Sequence, residues 1–133
     1  MTKMQVSYLG NLRTEAVHLD SGTKILTDAP KDNQGQGEAF SPTDLLASSL
    51  ASCMLTIMGI RARTHQIKIE GTSCAVEKIM QASPRKVAEM KVTVKLQGQT
   101  LSAEQLKMLE EAALTCPVFL SLDPAIKKTI HWE

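Results

Sequence analysis

Apolar and polar positions alternate through the first part of the chain. Val6, Tyr8, Leu12, Thr14 and Ala16 are interleaved with Arg13, Glu15 and Val17, and the pattern resumes in Lys24-Ile25-Leu26-Thr27. Gly10-Asn11 and Asp20-Ser21-Gly22 interrupt it with turn-forming residues, so a period of two broken at these points predicts three short antiparallel strands. After Pro30, Asp32-Asn33-Gln34-Gly35-Gln36-Gly37 is polar and glycine-rich, the composition of a flexible surface loop. Ser41-Pro42-Thr43-Asp44 then supplies a capping hydroxyl, a proline at the first helical position and an acid three residues past the cap. A helix is expected over about 42–64. Its middle is apolar on nearly every face, with the small residues Ala47, Ser48, Ser49, Ala51 and Ser52 on its early turns, so it must be enclosed on all sides. A chain this short can hardly surround such a helix, and a second copy of the chain is the expected cover.

Beyond that helix, Ile67-Lys68-Ile69-Glu70 and Val87 to Leu96 alternate again and predict two more strands. Leu101-Ser102-Ala103-Glu104-Gln105 opens a second capped helix with a stripe of Leu106, Leu109, Ala113 and Leu114 opposite Lys107, Glu110 and Glu111. It should end near Thr115, because Pro117 cannot continue the hydrogen-bond ladder. Pro117 to Leu122 reads as a short new helix, and Lys127 to Trp132 as a closing strand.

Size and composition narrow the class. At 133 residues and 14.5 kDa the chain suits one domain, 1–133, since two cores would each be poorly supported. The apolar run Leu45 to Ile60 is shorter than a bilayer span of about 20 residues and carries Ser48, Ser49, Ser52 and Thr56, which favours a buried soluble helix over a membrane segment. Fifteen basic against fourteen acidic residues give no field to hold a polyanion, and an aromatic content of 3% offers few stacking platforms; nucleic acid and anionic membrane are therefore not expected partners. Met1 to Gly10 lacks the basic-then-apolar order of a secretory signal, so a cytoplasmic location is expected. In that reducing compartment an odd number of cysteines, three, points to reactive rather than structural sulfur.

Of the three, Cys116 would cap the short helix, where unpaired amides and the positive dipole end favour a thiolate. Cys53 lies mid-helix in Leu50-Ala51-Ser52-Cys53-Met54-Leu55, where burial alone would keep it protonated unless a cation stands nearby. Spacing does not decide whether they meet, because a bridge requires alpha carbons within about 7 Å. Cys74, in the strand-like Thr72 to Val76, reads as a core or edge filler. His18, His65 and His131 have no metal-type spacing. Glu15 beside Arg13 suggests an exposed ion pair, and Arg61 with Arg63 suits a helix C-terminus. Met54, Met58 and Phe119 would provide soft apolar walls.

Gly37-Glu38-Ala39-Phe40-Ser41-Pro42-Thr43-Asp44-Leu45-Leu46-Ala47-Ser48-Ser49-Leu50-Ala51-Ser52-Cys53, followed by Leu114-Thr115-Cys116-Pro117-Val118 and Ser121-Leu122, resembles the OsmC/Ohr family of osmotically inducible and organic-hydroperoxide-resistance proteins. The resemblance implies an α+β fold in which antiparallel sheets wrap long central helices in an intertwined homodimer. It further implies a thiol peroxidase with Cys53 as the peroxide-attacking residue, Cys116 as the resolving one and Arg13 holding the nucleophile as thiolate. The family's arginine-orienting acid stands ten residues before the cysteine in the hydroperoxide-resistance branch, at Thr43 here. Asp44, one residue later, is the candidate for that role, its alternative being a simple helix cap. No bound cofactor is implied; organic hydroperoxide is the substrate and an external dithiol, such as a dihydrolipoyl group, the reductant. The competing reading is a non-enzymatic one on the same fold, a redox sensor or a binder of a small apolar ligand.

Overall fold

The computed structural model describes all residues, 1–133, and the chain divides into two compact units, Met1–Leu45 and Leu46–Glu133. The first is a three-stranded antiparallel sheet of β1 (Met4–Gly10), β2 (Arg13–His18) and β3 (Lys24–Asp28), in that order. Pairing of Val6 with Ala16, and of Ala16 with Ile25, sets an apolar row on one face. On the other face Arg13 stands opposite Asp28 and Glu15 opposite Leu26. The expected Arg13–Glu15 pair does not form. Strand alternation sends both side chains to one face but toward different neighbours, and Glu15 reaches Lys24 at 3.9 Å.

The polar segment after Pro30 is a built turn rather than a loose loop. Its 3-10 turn, Lys31–Asn33, is tied back by Asn33 N–H to the Pro30 carbonyl (2.9 Å) and by Gly37 N–H to the Ala29 carbonyl (3.1 Å). Gly35 is obligatory there, since a Cβ would meet the Ala29 carbonyl oxygen at 1.8 Å.

Helix α1 runs over Pro42–Thr64, the bounds expected from its start signal and apolar run. Ser41 Oγ accepts the Asp44 N–H (3.1 Å) while Asp44 Oδ2 accepts the Ser41 N–H (2.9 Å), a reciprocal capping box. The helix ends with Gln66 at φ 57° and with Ile67 N–H bonded to the Ala62 carbonyl at 2.8 Å, which stops the ladder without glycine. By length and hydropathy α1 could cross a membrane, a test that core helices of soluble proteins also pass. Within the second unit it buries one stripe, Ala47, Leu50, Ala51, Met54, Met58 and Ala62, while Leu46 and Ile60 stay exposed. One face, not all of them, is enclosed by the chain itself.

That stripe joins a core with β5, α2 and their neighbours. Strands β4 (Ser73–Ala82) and β5 (Arg85–Lys95) pair antiparallel, and β6 (Lys127–Trp132) adds to β5 in parallel, so the sheet is mixed where antiparallel pairing was expected. A register shift at Ile79/Met80 places Val87 and Met90, three apart, both in the core together with Val92 and Val94. The Ile67–Glu70 alternation is not a strand. Its groups are used locally, Lys68 N–H by the Gln99 side chain (3.0 Å) and the Ile69 carbonyl by Thr72 N–H (3.0 Å), with Ile67 buried as an anchor. Helix α2 (Ala103–Ala113) starts on a capping box between Ser102 and Gln105 and buries Leu109, Ala112 and Ala113. Helix α3 (Pro117–Ser121) follows after two residues of turn and Cys116.

Candidate functional site

Cys53 lies three residues beyond Leu50 on α1, at the edge of the buried stripe, and is half-buried. Cys116 enters the same core from the other direction. Its backbone is held as α2 ends, with the Cys116 N–H on the Ala113 carbonyl at 3.3 Å. Pro117 at the first position of α3 fixes the extended backbone that places the Cys116 sulfur over the opening turn, where it accepts the Phe119 N–H at 3.2 Å. Cys116 is completely buried, both thiols are free, and the side chains of Cys116 and Cys53 are hydrogen-bonded to one another.

The electrostatics of Cys116 reverse the expectation from its position at a helix start. Burial pushes its thiol above the ordinary value of 9.0; the amides of Phe119 and Val118 pull down, and the hydrogen bond and charge interaction with Cys53 push up again. Desolvation wins because a five-residue helix brings few amides and a short dipole to a wholly buried sulfur. Cys116 therefore holds its proton and can donate it to Cys53. Cys74 stands on β4 opposite Val94, packs against the core and is likewise raised by burial, as a filler would be. His18 bonds Ser21 (2.6 Å), His65 follows α1 and His131 lies on β6; no group of metal-ligating side chains forms.

Arg13, in the first unit, pairs with two carboxylates that sequence reasoning did not single out. Its guanidinium reaches Asp28 Oδ2 at 3.5 Å and Glu38 in a close ion pair. Glu38 lies inside the motif run but showed no pattern of its own, and Asp28 closes a strand where a buried acid has no hydropathy signal. The cross-strand pairing of Arg13 with Asp28 was the one clue, and it needs the register. Asp44 is engaged in the capping box at the start of α1. In the second unit an open cavity of about 730 Å³ runs along Leu55, Gly59, Ile60, Arg63 and the 66–72 segment, and no cysteine lines it.

A family model described as OsmC-like protein matches residues 35–131. A protein of Psychrobacter arcticus 273-4, provisionally described as an osmotic stress induced and detoxification response protein, is 52% identical over all of this chain and 96% of its own, with a TM-score of 0.95. Two more distant structures share the fold over the whole chain. They are an organic hydroperoxide resistance protein OsmC of Legionella pneumophila (20% identity, 96% of that chain, TM-score 0.75) and the organic hydroperoxide resistance protein OhrB of Bacillus subtilis (17%, 98%, 0.71). No curated protein matches the chain.

Proposed function

The chain belongs to the OsmC family, and from that membership we propose that it is a thiol-dependent peroxidase, reducing organic hydroperoxides and, more slowly, hydrogen peroxide. The observation that carries the reading is the contact between Cys53 and a buried Cys116 that keeps its proton. Such a pair divides its labour. The Cys53 thiolate attacks the terminal oxygen of the hydroperoxide, a sulfur–oxygen bond forms as the O–O bond breaks, and the alkoxide takes up a proton and leaves as alcohol. The Cys116 thiol then attacks the sulfenic sulfur, water leaves, and a Cys53–Cys116 disulfide results. An external dithiol, such as a dihydrolipoyl group, exchanges with that bridge and restores both thiols.

In this reading Arg13 is the cationic residue of the site, and Asp44 holds the start of the helix that carries Cys53. The working unit is a homodimer in the cytoplasm. The exposed apolar residues Val6, Tyr8 and Ile25 on one face of the sheet, and separately Leu46 and Ile60 of α1, are surfaces a second copy would cover. Consumption of cumene hydroperoxide in the presence of a dithiol tests the assignment. It should fall to background in Cys53→Ser, and an unchanged rate in that variant refutes it. Cys116→Ser should turn over more slowly and accumulate sulfinic acid on Cys53, visible by mass spectrometry. A bridge that forms with peroxide but never turns over with any dithiol would make the pair a sensor instead.

A further inference from the structure

Asp28 is 1% exposed, and its side-chain oxygen Oδ1 has no hydrogen-bond partner. Its other oxygen, Oδ2, serves two groups: the Arg13 guanidinium at 3.5 Å and the backbone N–H of Glu38 at 2.9 Å. The Asp28 N–H in turn donates to the Phe40 carbonyl at 3.0 Å, and the next residue, Ala29, donates to the Leu12 carbonyl at 3.2 Å. One buried residue thus ties together the strand carrying Arg13, the segment carrying Glu38 and the residues leading into α1. Glu38 differs in kind. Its side chain is 58% exposed, so its ion pair with Arg13 is screened by water and replaceable by it.

We propose that Asp28 is the positioning residue of Arg13, the fixed end of a clamp whose exposed end is Glu38. This rests on the peroxidase reading, in which Arg13 acts on Cys53. The vacant oxygen gives the clamp its second setting: a guanidinium has five N–H donors, so when Glu38 lets go, Arg13 can close onto both oxygens of Asp28 without losing its place. Because Asp28 also holds the Glu38 backbone, its loss frees both arms, whereas loss of the Glu38 carboxylate frees one.

The test compares Asp28→Asn, Glu38→Gln, Arg13→Gln and the double variant Asp28→Asn/Arg13→Gln in the full chain. Three readouts are taken: the pH profile of kcat/KM for cumene hydroperoxide, the Arg13 side-chain N–H resonance by NMR, and circular dichroism. Asp28→Asn should lower kcat/KM roughly tenfold at neutral pH, move the acid limb of the profile upward and broaden or shift the Arg13 resonance, each by more than Glu38→Gln does. In the Arg13→Gln background the same substitution should cost nothing further. Equal losses in both backgrounds, an Asp28→Asn effect no larger than that of Glu38→Gln, or an Asp28→Asn chain that does not fold would make the carboxylate structural and overturn the proposal. If the unaltered protein consumes no peroxide, the peroxidase reading has failed, and the Arg13 resonance alone decides whether Asp28 holds the guanidinium.

Discussion

The two units are buried by different chemistry. In the first, the buried residues are Thr27, Asp28 and Ser41, all polar; in the second they are Ala, Leu, Met, Ile and Val side chains together with Cys116. A segment of 45 residues whose apolar row leaves Val6 and Ile25 exposed and Ala16 half-buried has no apolar core of its own to define it. It is specified instead by turns, caps and the hydrogen bonds around Asp28. The second unit is specified by volume, with Leu50, Met54, Met58, Met90 and Leu109 fully enclosed. The comparison teaches that thiol chemistry is set where burial dominates, while the cation proposed to act on it is set where polar geometry dominates.

The largest effect that can break this contrast belongs to the second unit. Leu50→Ala or Met90→Ala removes a fully enclosed side chain and should cost about 2–5 kcal/mol, read as a lower denaturant midpoint at unchanged slope. Ile25→Ala, an exposed residue of the first sheet, should cost far less in the isolated chain. A comparable loss at Ile25 that depends on protein concentration would show that a second copy covers that row and gives the first unit its apolar burial.

A smaller loss is expected at the boundary between the two regimes. Ser41→Ala removes the hydroxyl that caps α1 and leaves the Asp44 N–H without that acceptor, a change of about 1 kcal/mol by thermal or chemical unfolding. Ser41→Thr should largely restore it, since its hydroxyl can accept from the same N–H.

These elements also show what was legible in the sequence. Helix α1 was readable to both ends because its start has a cap, a proline and an acid, and its body is continuously apolar. The three strands of the first sheet, the short helix after Cys116 and the last strand were readable from period and turn residues. The Ile67–Glu70 segment misled because two isoleucines anchored to a core produce the same alternation as a strand. The parallel placement of β6 was beyond reach, since periodicity carries no direction. At the site, the cysteines were visible by type and family pattern. The partners of Arg13 were not, because Asp28 and Glu38 acquire meaning only once β2 and β3 are in register. Cys116 shows the converse error: its position at a helix start was read correctly, but its complete burial, which decides the proton, is a tertiary fact.

That burial makes a pH prediction, smaller still under ordinary conditions. The folded-state value of Cys116 is raised above that of the unfolded chain, so the folded protein binds this proton more tightly. Its contribution to stability is fully present below the ordinary thiol value of 9.0 and is lost as the pH rises through the raised folded value. Unfolding free energy measured across the alkaline range should therefore decline more steeply in the reduced protein than in Cys116→Ser. Identical slopes would mean that the sulfur is hydrated in solution and that the second unit is less tightly closed than its apolar burial implies.

The smallest effect carries the opposite sign and sits beside Arg13. Asn11 and Leu12 form the tip of the β1–β2 hairpin with φ of 53° and 62°, the pairing that a two-residue turn of this hand requires. Asparagine accepts such a backbone readily and leucine does not, so Leu12 is held there at a cost. The turn is retained by its backbone: the Leu12 N–H donates to the Tyr8 hydroxyl at 3.3 Å and its carbonyl accepts from Ala29 at 3.2 Å. Leu12→Gly keeps both bonds and relieves the strain, and should stabilise the chain by about 0.5–1 kcal/mol, seen as a melting point higher by a few degrees. Its side chain is 45% exposed, so little packing is lost in a single copy. If the substitution destabilises instead, the leucine is covered by something outside its own chain, and the first unit is held by apolar burial after all, supplied by a partner.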